Sequence, residues 1–328
     1  MEVYPMYTLD NPQIGLGTFP FSGVFSPITQ EEAERITATF LDLGGHYIET
    51  APSYPRTNVQ MGALIAKFPR QELLIGSKCV LDLDENGNMY NSGKPETVRQ
   101  QVLKELKRLG VDYLDLLEAH YTASDVSCQV VAQVLNELKK EGLVRYIGAS
   151  NASREDIAGY VAGGGIDYVQ NRYSIIHRSP TQSIADICAE NNIRFNPYQV
   201  IERGQLNQRQ HADSTWRDGD LRHKKPEYTG EVFTRVRSWV VETLGGIAKE
   251  AGLTMEALSI RWAFSKPQVT MPVVGATKLW QLQTNMAVGT EPLPKDVLHA
   301  VDTAYAEFST QIERSFGKTL EAYRGLSK

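Results

Sequence analysis

The sequence predicts an α/β fold, a closed (β/α)₈ TIM barrel in a single domain. Three observations carry that expectation. Short apolar runs alternate with amphipathic stretches, the sequence form of repeated βα units on a parallel sheet. Eight such runs can be counted. No G-x-G-x-x-G follows the first of them, which removes the dinucleotide fingerprint expected of an open doubly wound sheet. At 328 residues the chain exceeds the usual prior of about 150 per domain, but barrels of this length commonly form one domain.

In chain order the strand candidates are "IGLGTF", "HYIET", "ELLIGSKCV", "YLDLLEAHY", "VRYIGAS", "DYVQNRY", "IRFNPYQV" and "VTMPVVGA". The first helix pattern has Thr29 as N-cap and ends at Gly44, and the pattern after the third run has Pro95 early and Gly110 at its end, both ordinary brackets for a helix. "SCQVVAQVLNELKKEG" and "TMEALSIRWAFS" repeat apolar residues at helical spacing. A long helix is expected from about Thr234 to Ala251 and a C-terminal one over about 295–311. One polar segment, about 205–230, is too long for a simple connection and reads as functional or irregular. The single domain is expected to span 1–328.

The composition, 41% hydrophobic and 22% charged, is that of a folded globular chain. A net charge of −5 with scattered basic residues argues against a nucleic-acid surface, which needs clustered positive charge. Cys79, Cys128 and Cys188 are odd in number and form no C-x-x-C pair, so neither a disulfide framework nor a metal site is expected. That usage fits a reducing cytoplasm. No basic-then-apolar leader is visible and no apolar stretch approaches the ~20 residues of a membrane span. A cytoplasmic protein is therefore expected, with no nucleic-acid or membrane partner; the oligomeric state stays open.

In a barrel the chemistry sits at the C-terminal ends of the strands. There the sequence offers Glu49 with Tyr54 just beyond, then Lys78, His120, the pair Ser150 and Asn151, and Gln170 with Asn171. Singly each has a plain structural reading, a snorkelling lysine or a tyrosine wetting its hydroxyl. Together they bring an acid, a cation, an imidazole and a phenol to three neighbouring strand ends, which is what general acid/base chemistry requires. An unperturbed phenol titrates near 10, so it needs a neighbour that favours the phenolate. The expected division of labour is that Glu49 holds Lys78, Lys78 tunes Tyr54, and His120 orients a substrate carbonyl.

From "GLGTF" through "ETAPSY", "IGSKC", "YLDLLEAHY", "IGASNAS", "VQNRY", "FNPYQVIERGQL" and "PVVGATKLWQLQTN", the chain resembles an aldo-keto reductase over nearly its whole length. The resemblance implies a barrel that reduces aldehydes and ketones with NADPH, less often NADH. The family's tetrad of Asp, Tyr, Lys and His falls on Glu49, Tyr54, Lys78 and His120, so the carboxylate here is one methylene longer. It further implies that Ser150, Asn151 and Gln170 hold the nicotinamide carboxamide, that Phe195 stacks on its ring, and that Thr18 is among the cofactor-binding residues. Gly275, Thr277, Lys278, Gln281 and Asn285 correspond to the adenosine-phosphate site. Lys278 is the one charge offered there, which favours NADPH over NADH as a point charge without an arginine's fork. Phe19 and Tyr121 are placed to flank a small carbonyl substrate, and Phe21 or Phe25 to join an aromatic mouth, while Trp216, Arg217, His223, Lys224 and Lys225 come from the long loop. Two other functions fit parts of this pattern. One is a cofactor-binding regulatory subunit with slow turnover, against which the lack of a long N-terminal extension counts. The other is a barrel lyase using Lys78 as a Schiff-base amine.

Overall fold

The computed structural model describes residues 7–54, 59–178, 181–207, 209 and 216–317. Its eight barrel strands are β1 (Gly15–Gly17), β2 (Tyr47–Glu49), β3 (Leu74–Cys79), β4 (Leu114–Ala119), β5 (Val144–Ser150), β6 (Tyr168–Gln170), β7 (Arg194–Phe195) and β8 (Val273–Val274). Each lies inside one of the eight apolar runs. All pair in parallel in chain order, with β8 returning to β1 through Gly15 opposite Val273. The ring closes between the segment just past β7 and the first residue of β8: Tyr198 bridges Val273 in parallel, and the Val273 amide donates to Pro197 O at 2.7 Å.

Strand parity decides which side chains meet inside. Successive side chains on a strand point to opposite faces, so Tyr47 and Glu49 share the interior with Gly76 and Lys78 and with Leu116 and Glu118. The lower interior is filled by Leu9, Tyr47, Leu74, Leu116, Tyr168 and Met271. The tyrosine rings fit because glycines face them: a Cβ on Gly76 would lie 2.7 Å from Tyr47, and one on Gly148 2.6 Å from Tyr168. Above that apolar layer the next inward positions carry Glu49, Lys78, Glu118, Ser150 and Gln170. The outward residues Ile48, Ile75, Leu117, Ile147 and Val169 are buried with the helix residues Ile36, Phe40, Val102 and Leu135. Burial of each such side chain is worth roughly 1.5–3 kcal/mol. Burial on both faces is also why these strands read as continuous apolar runs.

The expected helix brackets are present. Gln30–Asp42 is opened by Thr29 in a capping box with Glu32, and Pro95–Leu109 is closed by Gly110 at φ 70°. The long helix begins earlier than expected, as Gly230–Trp239, passes through a π turn at Val240–Leu244 and continues as Gly245–Glu250. The last helix, Lys295–Phe316, runs beyond 311. A hairpin of Leu81–Leu83 and Met89–Asn91 was not foreseen. Its turn is closed by Asp84 Oδ1, which accepts from the amides of Asn86 and Asn88 at 2.9 and 2.8 Å. In the polar segment, Leu221–Lys224 and Pro226–Tyr228 are 3₁₀ turns, while 208 and 210–215 lie outside the described residues. Among the described residues no helix is long and apolar enough to cross a membrane.

Candidate active site

The charged layer sits at the floor of a cavity of about 610 Å³ lined by Glu49, Tyr54, Lys78 and His120, by Phe19, Phe25 and Tyr121, and by Ser150, Asn151 and Gln170. Gly275, Thr277, Lys278, Gln281 and Asn285 line its far end. Thus the expected tetrad, the expected adenosine-phosphate residues and both expected substrate walls face one space.

Within the tetrad the wiring differs from the expectation. Tyr54 donates its hydroxyl directly to Glu49 Oε1 at 2.6 Å. Lys78 Nζ pairs with the same oxygen, and lies 5.9 Å from the centre of the Tyr54 ring. Glu49 therefore stands between phenol and ammonium. Burial first, and then the Glu49 carboxylate, push Tyr54 well above the ordinary phenol range. The idea that Lys78 tunes Tyr54 downward is corrected accordingly: in this arrangement the carboxylate holds the phenol protonated. Lys78 is itself only 3% exposed. Burial opposes its charge, but the carboxylates of Glu118 and Glu49 outweigh that and raise it above the usual lysine range. His120 is pushed down to about 2 by burial and by the Lys78 charge, so its ring is neutral. Its Nδ1 lies 3.0 Å from Ser53 Oγ.

Glu49→Gln removes the anion from between the two groups, and loss of an adjacent charge commonly moves a buried group by about 1–3 pH units. An alkaline limb from Tyr54 is expected to enter the accessible pH range of kcat in this variant and to be absent from the unsubstituted protein. Identical profiles would show that Glu49 does not govern the phenol.

Two residues expected at the cofactor do not line this cavity. Phe195 is fully buried in the shell, tilted against Tyr173 at 5.5 Å, and does not line the cavity. It ends β7 with its side chain turned to the helices. Three residues on, past Pro197, the chain turns inward and Tyr198 lines the cavity, its hydroxyl donating to Asn151 Oδ1 at 2.6 Å. Thr18 also lies off this cavity, 3% exposed, its amide donating to Glu49 O at 2.9 Å. Of the long-loop residues, Trp216 lines the cavity, whereas Arg217 reaches Phe25 O at 2.7 Å and His223 Nε2 lies 2.9 Å from Trp216 O.

Several residues near the nicotinamide end are tied to the tetrad. Asn151 adopts φ 55°, a left-handed conformation asparagine tolerates better than most residues. Its Nδ2 donates to His120 O at 2.9 Å. Gln170 Nε2 donates to Glu49 Oε1 at 3.4 Å. At the far end Gln281 Oε1 accepts from the amides of Thr277 and Lys278, at 2.8 and 3.1 Å.

The largest omission of the sequence reading is Glu118. It is 1% exposed, and its Oε1 lies 2.6 Å from Lys78 Nζ. Glu118 sits inside the strand, directly opposite Lys78 in the register of β3 with β4.

The cavity has the features that a dinucleotide needs. Asn285 Nδ2 and Gln199 Oε1 are buried without a hydrogen-bond partner in residues that line it. Gly275, which lines the cavity, packs so closely on Pro20 that a Cβ there would lie 2.4 Å from the proline ring. An acid, a cation and a neutral imidazole around a phenol, at the floor of one cavity, are the parts of an acid/base site. The chain belongs to the aldo/keto reductase family, whose profile it matches over residues 13–306. It is similar to an NADH-specific methylglyoxal reductase of Escherichia coli K12, 28% identical over 88% of this chain and 93% of that one. An aldo-keto reductase of Schizosaccharomyces pombe designated for NADP(+) is 25% identical over 84% and 82%. Among solved structures, a glycerol dehydrogenase of Gluconobacter oxydans shares the fold with a TM-score of 0.80, covering 92% of this chain and 97% of that one at 23% identity. The protein is accordingly an oxidoreductase of carbonyl substrates that uses a nicotinamide cofactor.

Proposed function

We propose that this protein is an NADPH-dependent reductase of an aldehyde, ketone or sugar-like carbonyl compound, with Tyr54 as general acid. The observation that carries the reading is the Tyr54 hydroxyl at 2.6 Å from Glu49, beside Lys78 and a neutral His120, at the floor of an aromatic-walled cavity. When bound, the reduced nicotinamide supplies a hydride to the carbonyl carbon. Tyr198, which lines the cavity, would lie against the cofactor, and Asn285, Gln199 and Lys278 would offer it polar contacts. His120, with Nδ1 engaged by Ser53, presents Nε2 to the substrate oxygen. As the carbon gains hydride, the Tyr54 O–H bond breaks and its proton passes to the alkoxide, leaving a phenolate that Lys78 stabilises. Phe19, Phe25 and Tyr121 exclude water from this exchange.

The preference for NADPH rests on Lys278 and on Arg209, whose guanidinium stacks 3.6 Å from the centre of the Trp280 ring at the same end of the cavity. Glu32 lies 3.5 Å from Lys278 and offsets part of its charge. Lys278 is partly exposed, so Lys278→Ala is expected to narrow the affinity gap between the two nucleotides by about 1 kcal/mol, the upper range for an exposed pair. Fluorescence titration with each nucleotide measures it. Equal affinities in the unsubstituted protein would count against the preference.

A Schiff-base lyase is disfavoured because two carboxylates hold Lys78 as an ammonium, which is no nucleophile. A regulatory subunit differs from a reductase in rate. Nucleotide oxidation followed against a panel of aldehydes, ketones and sugars, led by the methylglyoxal named for the Escherichia coli relative, separates the two. Turnover of no panel member would favour the regulatory reading.

A further inference from the structure

Lys78 is clamped between two carboxylates, and the reaction described above uses only one. We propose that Glu118 is a positioning residue of the active site: it anchors Lys78 from β4, opposite Glu49, and its protonation state sets how much of the ammonium's charge is left for Tyr54. The catalytic part of this inference rests on the carbonyl-reductase reading, whereas the titration of Glu118 does not.

The geometry comes from strand register. β3 and β4 pair with Lys78 directly opposite Glu118, so the two inward side chains meet at 2.6 Å without a loop to place them. The titratable groups that Glu118 acts on are Lys78 from β3, Tyr47 and Glu49 from β2, Tyr54 from the loop after β2 and Tyr168 from β6, with Cys79 on the opposite face of β3. Lys78 is the cation among them. With His120 neutral, two ionised carboxylates and one ammonium leave an unbalanced negative charge on groups that are all 3% exposed or less, and buried unbalanced charge is costly. One proton removes it. Glu118 is the group prepared to take that proton: burial raises its carboxyl to about 7, against the pull of Lys78, while Glu49 pushes in the same direction as burial.

The consequence for the reaction has a definite sign. While Glu118 is ionised it competes for Lys78 and adds a negative charge near Tyr54, so the phenolate left after proton donation is disfavoured. Once Glu118 is protonated, Lys78 is balanced by Glu49 alone and the phenolate costs less. Carbonyl reduction should therefore quicken as pH falls through about 7.

The test has two arms. In the first, infrared difference spectra of the protein without nucleotide are recorded across pH. A protonated-carboxyl band should titrate near pH 7, vanish in Glu118→Gln and survive in Glu49→Gln at a lower pH. With carbon-13-labelled glutamate the band should shift in the unsubstituted protein and lose that isotope shift in Glu118→Asp, which decides the assignment even if Glu118→Gln does not fold. In the second arm, kcat for methylglyoxal reduction is followed across pH. The limb near neutrality should be lost in Glu118→Gln, with the rate at alkaline pH raised severalfold toward the acid plateau, and Glu118→Asp should retain a displaced limb. No titrating band near neutrality, an unchanged limb in Glu118→Gln, or a uniform loss of rate at every pH would each overturn the proposal. If no carbonyl compound is reduced, the reductase reading fails and the infrared arm still decides whether Glu118 titrates.

Discussion

Tyr54→Phe is expected to lower kcat by at least the ~10²-fold typical of losing a general acid, with reduced-nucleotide affinity nearly unchanged. The ring contacts survive the substitution: Tyr54 meets Phe19 edge-on at 5.2 Å and His120 at 6.1 Å through its aromatic face and edge. What is lost is the hydroxyl that donates to Glu49. Glu49 keeps Lys78 and Gln170 as partners, so thermal unfolding should change little. Steady-state rates beside a fluorescence titration of nucleotide binding separate the two effects. A variant that turns over at a near-normal rate would remove Tyr54 from the chemistry, and one that fails to bind nucleotide would make its role structural.

Lys78→Met should carry the largest cost in stability. The substitution nearly conserves volume but leaves Glu49 and Glu118, 3% and 1% exposed, facing each other without a counter-charge. Breaking a buried pair in this way typically costs about 3–5 kcal/mol. The loss depends on pH, and its sign follows from proton counting. A buried carboxyl whose folded pKa is raised binds more protons folded than unfolded, so its stability contribution falls as pH rises between the unfolded and folded values. Glu118 is already raised, from 4.5 to about 7, with Lys78 drawing it down, and without Lys78 it should rise further. Denaturant unfolding should therefore show a large deficit above neutrality that shrinks on acidification, as the carboxyls take up protons. A deficit equal at acid and alkaline pH would mean that packing, not charge, explains it.

The barrel was legible because its strands are buried on both faces, so each appears as an apolar run bounded by turn residues, and the parallel arrangement follows from the helices between them. The residues that end those runs gave the tetrad. What was not legible had physical causes. Glu49 was assigned a partner, Lys78, but not the direct bond to Tyr54, because the reach of one extra methylene depends on where the loop after β2 turns. Glu118 lies inside an apolar run, where a lone acid draws no notice until the register with Lys78 is known. Phe195 was placed on the cofactor by family resemblance alone, and Tyr198 was not considered. The inward turn at Pro197 is made by barrel closure onto Val273, a contact between residues far apart in sequence. The hairpin at 81–91 escaped because its runs are short and one of its strands, Met89–Asn91, is largely exposed.

The central claim is that hydride passes from a reduced nicotinamide to a carbonyl carbon in the cavity above Glu49, Tyr54, Lys78 and His120. The most direct test uses NADPH deuterated at the transferred position of the nicotinamide, with the alcohol product analysed by mass spectrometry and NMR. The account predicts one deuterium on the carbinol carbon for each nucleotide oxidised, and near loss of that product with Tyr54→Phe. Nucleotide oxidation without deuterium in the alcohol, or full transfer in the Tyr54→Phe variant, would contradict it.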